Sequence, residues 1–158
     1  MSQESESRMM NDDENRRSAG AGKPVLDHIG IAVRSLDAAK IYETMGLTID
    51  YRETVQSQGV DTAFLTIGDS SIELLEPLAP DSAVGRFIER RGEGIHHICF
   101  RVTDIESHLR RLEAEGYRLI NPSPVPGAHG CRVAFLHPRT ANGVLIELSE
   151  KIIEREDA

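Results

Sequence analysis

Two histidines and two glutamates have the types and the surroundings of a binding site for a divalent metal ion: His28, Glu73, His97 and Glu147. Each histidine lies in an apolar run that predicts a β-strand, and each glutamate is at the centre of an Ile-Glu-Leu triplet. Burying a lone carboxylate is unfavourable unless a cation or a hydrogen-bond donor pairs with it. Imidazoles and carboxylates are suitable ligands for a divalent cation, which would compensate the buried charge.

An internal repeat relates these residues in pairs. When the segment from Leu26 is placed above the segment from Ile95, His28 aligns with His97 and the apolar positions coincide. Each copy later contains a strand glutamate, 45 residues after His28 and 50 residues after His97. A single strand histidine is more often a hydrogen-bonded core residue, and a single strand acid is more often exposed. Because both recur at equivalent positions, we expect two related modules to bring them into one cleft.

The repeat predicts an α+β fold in which two paired βαβββ modules form a cleft of mixed β-sheet. The modules span about residues 25–76 and 94–149 of a single domain, residues 24–150. A linking helix is expected between them over residues 81–91, because its apolar side chains would share one face. Those side chains are Val84, Phe87 and Ile88.

The two adjacent histidines of GEGIHHICF would have different roles in a regular strand, because successive side chains point to opposite faces. We expect His97 to be the ligand, because it aligns with His28. His96 aligns with Asp27, so we expect it to form a local hydrogen bond or to lie near the rim of the cleft.

Other candidate ligands have no counterpart in the other module. His129 lies in a glycine-rich turn and His137 precedes a proline, and either could be a ligand in a different arrangement. Cys99 would share a face with His97, and we expect it to be a small residue of the cleft wall. His108 lies on a charged helix face and is expected to be solvated.

The composition argues against several partners. The 158 residues include 18 basic and 26 acidic ones, which gives a net charge of −8, whereas nucleic acids and anionic membranes are bound by basic surfaces. No apolar run approaches the ~20 residues of a membrane span. Two cysteines do not form a disulfide framework, so a cytoplasmic protein is expected. Residues 1–23 are polar and predict a disordered tail, and residues 151–158 predict a C-terminal tail.

The ordered motifs DHIGIAVRSLDAA, GEGIHHICFRV, PGAHGCRVAFLHP and GVLIEL resemble those of the methylmalonyl-CoA epimerases, within the vicinal oxygen chelate superfamily. The resemblance covers Val25 to Glu150. It implies an acyl-CoA substrate, methylmalonyl-CoA, and a homodimer. It also implies one divalent ion on the two histidines and two glutamates, often cobalt(II), with manganese, magnesium, nickel or zinc as alternatives. One position departs from the pattern: where some members have a glutamate proposed as a base, this chain has Thr62, with Asp61 beside it.

The resemblance further implies that (2R)- and (2S)-methylmalonyl-CoA are interconverted by removal and return of the α-proton through an enolate. A cation beside the thioester oxygen would stabilise the enolate charge. Glu147 is the first candidate for proton transfer, and Glu73, its counterpart in the repeat, is the second. A glycine-rich turn could offer backbone N–H groups to the substrate carboxylate, because glycine allows close approach. Its residues are Gly127, Ala128, His129 and Gly130.

Two alternatives use the same fold. The four ligands alone would also allow a glyoxalase-like lyase, or another metal-dependent isomerase with a different small substrate, but the ordered motifs favour the epimerase. A non-catalytic protein that binds small molecules would not need the four ligands. Dioxygenases usually bind iron with two histidines and one carboxylate, so the fourth candidate ligand counts against that class.

Overall fold

The computed structural model describes residues 22–152; residues 1–21 of the expected N-terminal tail and residues 153–158 of the expected C-terminal tail lie outside this range. The described part contains eight strands: β1 Val25–Ala32, β2 Ile49–Val55, β3 Val60–Ile67, β4 Ser70–Pro77, β5 Gly94–Arg101, β6 Val125–Pro126, β7 Cys131–Leu136 and β8 Ile146–Lys151. It also contains three α-helices: α1 Lys40–Thr44, α2 Ala83–Arg91 and α3 Ile105–Ala114. None of the helices in this part of the chain combines the length and the apolar character that a bilayer span requires.

All eight strands form one mixed sheet in the order β2-β3-β4-β1-β5-β8-β7-β6. The β1–β4 and β5–β8 pairs are parallel, and the other neighbouring pairs are antiparallel. The chain therefore contains two βαβββ units, β1-α1-β2-β3-β4 and β5-α3-β6-β7-β8, which join along the antiparallel β1–β5 pair. This topology confirms the α+β fold with two paired modules that the repeat predicted.

Helix α2 connects the two units, but it is shorter than the expected range 81–91. It begins two residues later because the side chain of Ser82 caps its first turn by accepting a hydrogen bond from the backbone N–H of Gly85. Val84 and Ile88 are buried on one face of the helix, as the sequence predicted.

Two strands run past the expected module ends. β4 ends at Pro77, one residue beyond 76, and β8 ends at Lys151, two residues beyond 149. Lys151 was expected to begin the C-terminal tail, but it pairs with Cys131 of β7 and is still part of the sheet. The added residues are polar or proline, which a hydrophobic pattern does not assign to a strand.

Helices α1 and α3 with their flanking turns cover one face of the sheet. Ala39 packs there against Leu65 and Leu74, and Ile105 packs against Leu148. His108 was expected to be solvated, but it is buried because it follows Ile105 by three residues and so lies beside the packed stripe of α3. The opposite face is covered only in part, by α2, and carries the site described next.

Candidate metal centre

Four potential ligand atoms converge on the face of the sheet that α1 and α3 leave free. They belong to His28, Glu73, His97 and Glu147, and all lie within 4.8 Å of one another. The Nε2 atoms of the two histidines are 3.0 Å apart. The Nε2 atom of His28 lies 3.0 Å from a carboxylate oxygen of Glu73 and 3.5 Å from one of Glu147. The Nε2 atom of His97 lies 3.4 Å from the same oxygen of Glu73 and 2.8 Å from that of Glu147. The structure thus brings together the four residues that the repeat singled out.

The topology explains why they converge. The two histidines lie on β1 and β5, the central antiparallel pair, and the two glutamates lie on β4 and β8, the outer parallel neighbours of that pair. The pseudo-twofold relation between the modules therefore places one imidazole and one carboxylate on each side of a common centre.

The spacing of the four atoms fits a divalent cation. With metal–ligand distances of about 2.0–2.2 Å, adjacent ligand atoms are about 3.0 Å apart in octahedral and about 3.4 Å apart in tetrahedral geometry. The observed separations of 2.8–3.5 Å lie in that range. All four residues are buried, so their charges need an internal partner. The residues present therefore fit the ion that the donor set implies.

The electrostatics of the cluster show how strongly it attracts positive charge. Burial raises the pKa of Glu147, but hydrogen bonds from His28 and His97 outweigh this effect and lower the pKa to about 2. The same two histidines lower the pKa of Glu73 against the effect of burial. Burial lowers the pKa of His97, but its bonds to Glu147 and Glu73 raise it to about 9. Contacts with Asp27, Cys99 and both glutamates likewise raise the pKa of His28 despite its burial.

Strands β1 and β5 each contain a bulge next to a cluster histidine. The pairing register between the strands leaves Asp27 without a partner on β1 and His96 without a partner on β5. A bulge inserts one extra residue and re-aims its side chain. The two bulges are equivalent, because Asp27 precedes His28 as His96 precedes His97.

Both bulge residues hydrogen-bond to the histidine that follows them. Asp27 Oδ2 lies 2.8 Å from Nδ1 of His28, and Nδ1 of His96 lies 3.0 Å from Nδ1 of His97. Burial and the neighbouring His97 lower the pKa of His96 to about 4, so its ring is neutral and can accept this bond. Each cluster histidine can then donate through Nδ1 and direct the lone pair of Nε2 into the cluster.

These contacts revise the expected roles of the adjacent histidines. The local hydrogen bond expected of His96 is present, but its partner is His97, so the two rings do not point to opposite faces. The sequence reasoning did not assign Asp27 or His96 a positioning role. The signal was available in the equivalent pairs Asp27-His28 and His96-His97, each with a polar residue directly before the candidate ligand.

Gly30 provides the space that the His97 ring occupies. It lies opposite His97 in the β1–β5 pair, and a Cβ atom at this position would be 2.5 Å from Nδ1 and 2.7 Å from Nε2 of that ring. These separations are far below ordinary van der Waals contact, so a side chain at residue 30 would displace the ring.

The turn formed by Gly127, Ala128, His129 and Gly130 closes one side of the cluster. Ala128 and His129 line the same cavity as the four ligand atoms. The His129 ring stacks on Tyr51 with ring centroids 4.1 Å apart. Two of the four N–H groups in the turn are already used, because that of Gly127 donates to the Cys131 carbonyl and that of His129 donates to the Glu53 carboxylate. The N–H groups of Ala128 and Gly130 stay candidates for binding a substrate carboxylate.

The other candidates lie outside the group of four. Burial raises the pKa of the Cys99 thiol to about 12, and Cys99 forms with Asp27 and His28 a second, smaller group of potential ligand atoms that shares His28 with the first. His137 accepts a hydrogen bond from the backbone N–H of Arg139 instead. Thr62 is buried and donates to the Glu53 carbonyl at 3.0 Å, and Asp61 accepts a hydrogen bond from Thr54.

Comparison with known proteins finds a matching family model and several similar relatives. Residues 27–135 match the model of the glyoxalase/bleomycin resistance protein/dioxygenase superfamily. The ethylmalonyl-CoA/methylmalonyl-CoA epimerase of Cereibacter sphaeroides is 40% identical over 129 residues, which cover 79% of this chain and 96% of the relative. The mitochondrial methylmalonyl-CoA epimerase of Dictyostelium discoideum is 40% identical over 135 residues, 84% of this chain and 80% of the relative.

A solved structure of a methylmalonyl-CoA epimerase in complex with methylmalonyl-CoA and NH4+ is also similar. Its TM-score is 0.80 at 37% identity, and the match covers 86% of this chain and 100% of that one. Sequence, fold and site therefore lead to the same assignment: this chain belongs to the methylmalonyl-CoA epimerase family of the glyoxalase/bleomycin resistance protein/dioxygenase superfamily.

Proposed function

We propose that this protein is a metal-dependent epimerase that interconverts (2R)- and (2S)-methylmalonyl-CoA. The observation that carries the proposal is the convergence of two imidazoles and two carboxylates, one of each from either module, in a buried cluster of ion-binding dimensions. The similarity to named methylmalonyl-CoA epimerases supports the choice of substrate.

Inverting the substrate requires removal of an α-proton on one face and return of a proton on the other. The α-hydrogen lies between a thioester and a carboxylate, so its removal gives an enolate with negative charge on the thioester oxygen. A divalent cation held by His28, Glu73, His97 and Glu147 would supply Lewis-acid stabilisation of that charge.

Two proton-transfer groups on opposite sides of the α-carbon suit this reaction. We propose Glu147 for one side and Glu73, its counterpart across the pseudo-twofold axis, for the other. A carboxylate can hold a cation through one oxygen and exchange a proton at the other. The low pKa of both groups makes them weak bases, so they can act only on a strongly acidified α-hydrogen.

The remaining residues position these groups and the substrate. Asp27 and His96 hold the two imidazoles in the orientation that directs Nε2 into the cluster. Backbone N–H groups of Ala128 and Gly130 are proposed to bind the substrate carboxylate, because the turn borders the cluster and Ala128 lines its cavity.

Several finer features are part of the same proposal. Cobalt(II) is the proposed ion, because a mixed imidazole and carboxylate set suits it, although manganese, magnesium, nickel and zinc accept similar ligands. We further propose a cytoplasmic homodimer in which residues 24–150 of each chain form one domain of two modules. Size-exclusion chromatography with light scattering tests the dimer, and metal analysis of the purified protein tests the ion.

The experiment that tests the function follows the α-carbon directly. Single-epimer methylmalonyl-CoA is incubated in D2O with wild-type protein, and both inversion and deuterium incorporation at the α-carbon are measured. The wild-type protein should catalyse both, and His97→Ala should lose both together with the bound ion. If the wild-type protein binds the ion but exchanges no α-hydrogen, the proposed function is wrong, and the result indicates another metal-dependent reaction on this fold.

A further inference from the structure

A second cavity of about 400 Å³ adjoins the metal centre. It lies between α2, the first residues of β5 and the loop that precedes β8, and His97 lines both this cavity and the metal centre. The ring of His96 also borders it and contacts the Phe87 ring edge-on at 4.9 Å. The His97 imidazole therefore lies between the ligand cluster and the second cavity.

Three arginines of helix α2 line the second cavity, which we call the arginine-lined cavity: Arg86, Arg90 and Arg91. Twelve residues line the cavity and none of them is acidic. Within residues 22–152, none of the three guanidinium groups forms an ion pair with a carboxylate. Arg86 donates to the backbone carbonyl of Asp81, and Arg91 lies 5.9 Å from the centroid of the Phe87 ring.

This cluster of positive charge needs an explanation in a chain with a net charge of −8. Arg86 and Arg90 are four residues apart on the helix, where like charges repel and destabilise it. Arg90 and Arg91 lie in the last turn, where the helix dipole favours cations, but Arg86 lies in the second turn and gains nothing from it. An anionic ligand in the cavity explains all three positions.

We propose that the arginine-lined cavity binds the phosphate groups of an acyl-CoA substrate, an inference that rests on the proposed function. An acyl-CoA carries its acyl group at one end of a largely neutral pantetheine arm and its phosphates at the other. Guanidinium groups form strong paired hydrogen bonds with phosphate oxygens. Apolar residues that line the same cavity, Phe87, Val144 and Leu145, suit the arm. The ligand cluster then performs the chemistry, and the cavity supplies affinity.

Steady-state kinetics with two thioesters test this assignment. Methylmalonyl-pantetheine has the same acyl group and arm as methylmalonyl-CoA but no phosphates. The wild-type protein should have a higher kcat/KM for the CoA ester. The double variant Arg86→Gln/Arg90→Gln should raise KM for the CoA ester at least about tenfold and leave kcat for that ester unchanged. For the pantetheine ester, neither KM nor kcat should change. Arg110→Gln, an exposed arginine of α3, is the matched control and should change neither substrate.

Failure of the inference and failure of the function give different results. A double variant that keeps the wild-type preference for the CoA ester would place the phosphates elsewhere and overturn the inference. A wild-type protein that epimerises neither ester would contradict the proposed function. In that case calorimetric titration with coenzyme A still tests the cavity: the double variant should bind it at least about tenfold more weakly, and equal affinity would overturn the assignment.

Discussion

Replacing Gly30 with alanine should disable the metal centre without touching any of its ligands. The new Cβ atom would lie 2.5 Å from Nδ1 of His97 and closer still to Cε1, so the ring is more than 0.9 Å short of the 3.4 Å at which ordinary contact begins. The backbone of Gly30 does not have a positive φ, so alanine fits the strand and the clash falls on the imidazole ring. The ring must therefore move by about an ångström or more.

A shift of this size is large compared with the tolerance of a metal site, in which ligand distances hold to within about 0.2 Å. Losing a hydrogen-bond partner of a ligand typically weakens metal binding about 10- to 100-fold. Displacing the ligand itself should have a larger effect, so we expect Gly30→Ala to weaken cobalt(II) binding by at least about 100-fold. Overpacking should also destabilise the metal-free fold by about 1–3 kcal/mol.

Calorimetric titration of chelator-treated protein with cobalt(II), together with thermal unfolding, measures both effects. Gly22→Ala is the matched control, because among residues 22–152 its Cβ atom would meet only the Thr103 hydroxyl, at 3.2 Å, and it should leave metal binding unchanged. In a His97→Ala background the clash is absent, so Gly30→Ala should add little further destabilisation. If Gly30→Ala binds cobalt(II) as tightly as the wild-type protein does, the reasoning is refuted, because the position of the His97 ring would then not affect metal binding.

Three further outcomes follow from the site. His96→Ala should keep the ion but bind cobalt(II) about 10- to 100-fold more weakly in calorimetric titration, because His97 loses its partner; unchanged affinity would refute the positioning role. Because Glu147 and Glu73 raise the pKa of the buried His97 to about 9, its ring is protonated at pH 7 in the metal-free protein and must release a proton to bind the ion. The pKa of His28 is raised as well, so a second proton can be released, and cobalt affinity should rise at least about tenfold per pH unit from pH 7 to 9; a flat profile would contradict this. Removing the ion with a chelator should lower the thermal unfolding midpoint, because the ion binds only the folded chain; an unchanged midpoint in calorimetry would argue against a site of this kind.

The four candidate metal ligands could be singled out from the sequence because the chain is duplicated. Neither His28 nor Glu73 alone distinguishes a ligand from an ordinary strand residue. Their recurrence as His97 and Glu147, at similar spacing in an equivalent run of elements, required a common explanation. The topology explains why these residues converge: two βαβββ units that join along their first strands bring equivalent side chains to the pseudo-twofold axis.

The surroundings of the ligands could not be predicted in the same way, because they depend on how strands pair. A period-two pattern assumes regular strands and places His96 and His97 on opposite faces. The bulge that brings their rings together arises from the register between β1 and β5, which only the folded sheet sets. The clash that excludes a side chain at Gly30 is likewise a contact across two strands.

Burial of His108 was missed for a related reason. Its charged neighbours on α3 indicated a solvated face, yet the face that packs on the sheet is wide enough to include it beside Ile105 and Leu109. Helix α1 also has an exposed apolar residue, because Ile41 is 64% exposed. The 3-10 turn Leu36–Ala39 directly before it has a shorter period than an α-helix, so one helical period does not describe both segments.

The rate of inversion at the α-carbon of methylmalonyl-CoA, measured while metal-free protein is titrated with cobalt(II), tests the central claim most directly. The rate should rise in proportion to the added ion and level off at one ion per chain, and His97→Ala should show no rise. Full activity in the metal-free protein, or the wild-type response in His97→Ala, would contradict the assignment of these four side chains to one catalytic ion.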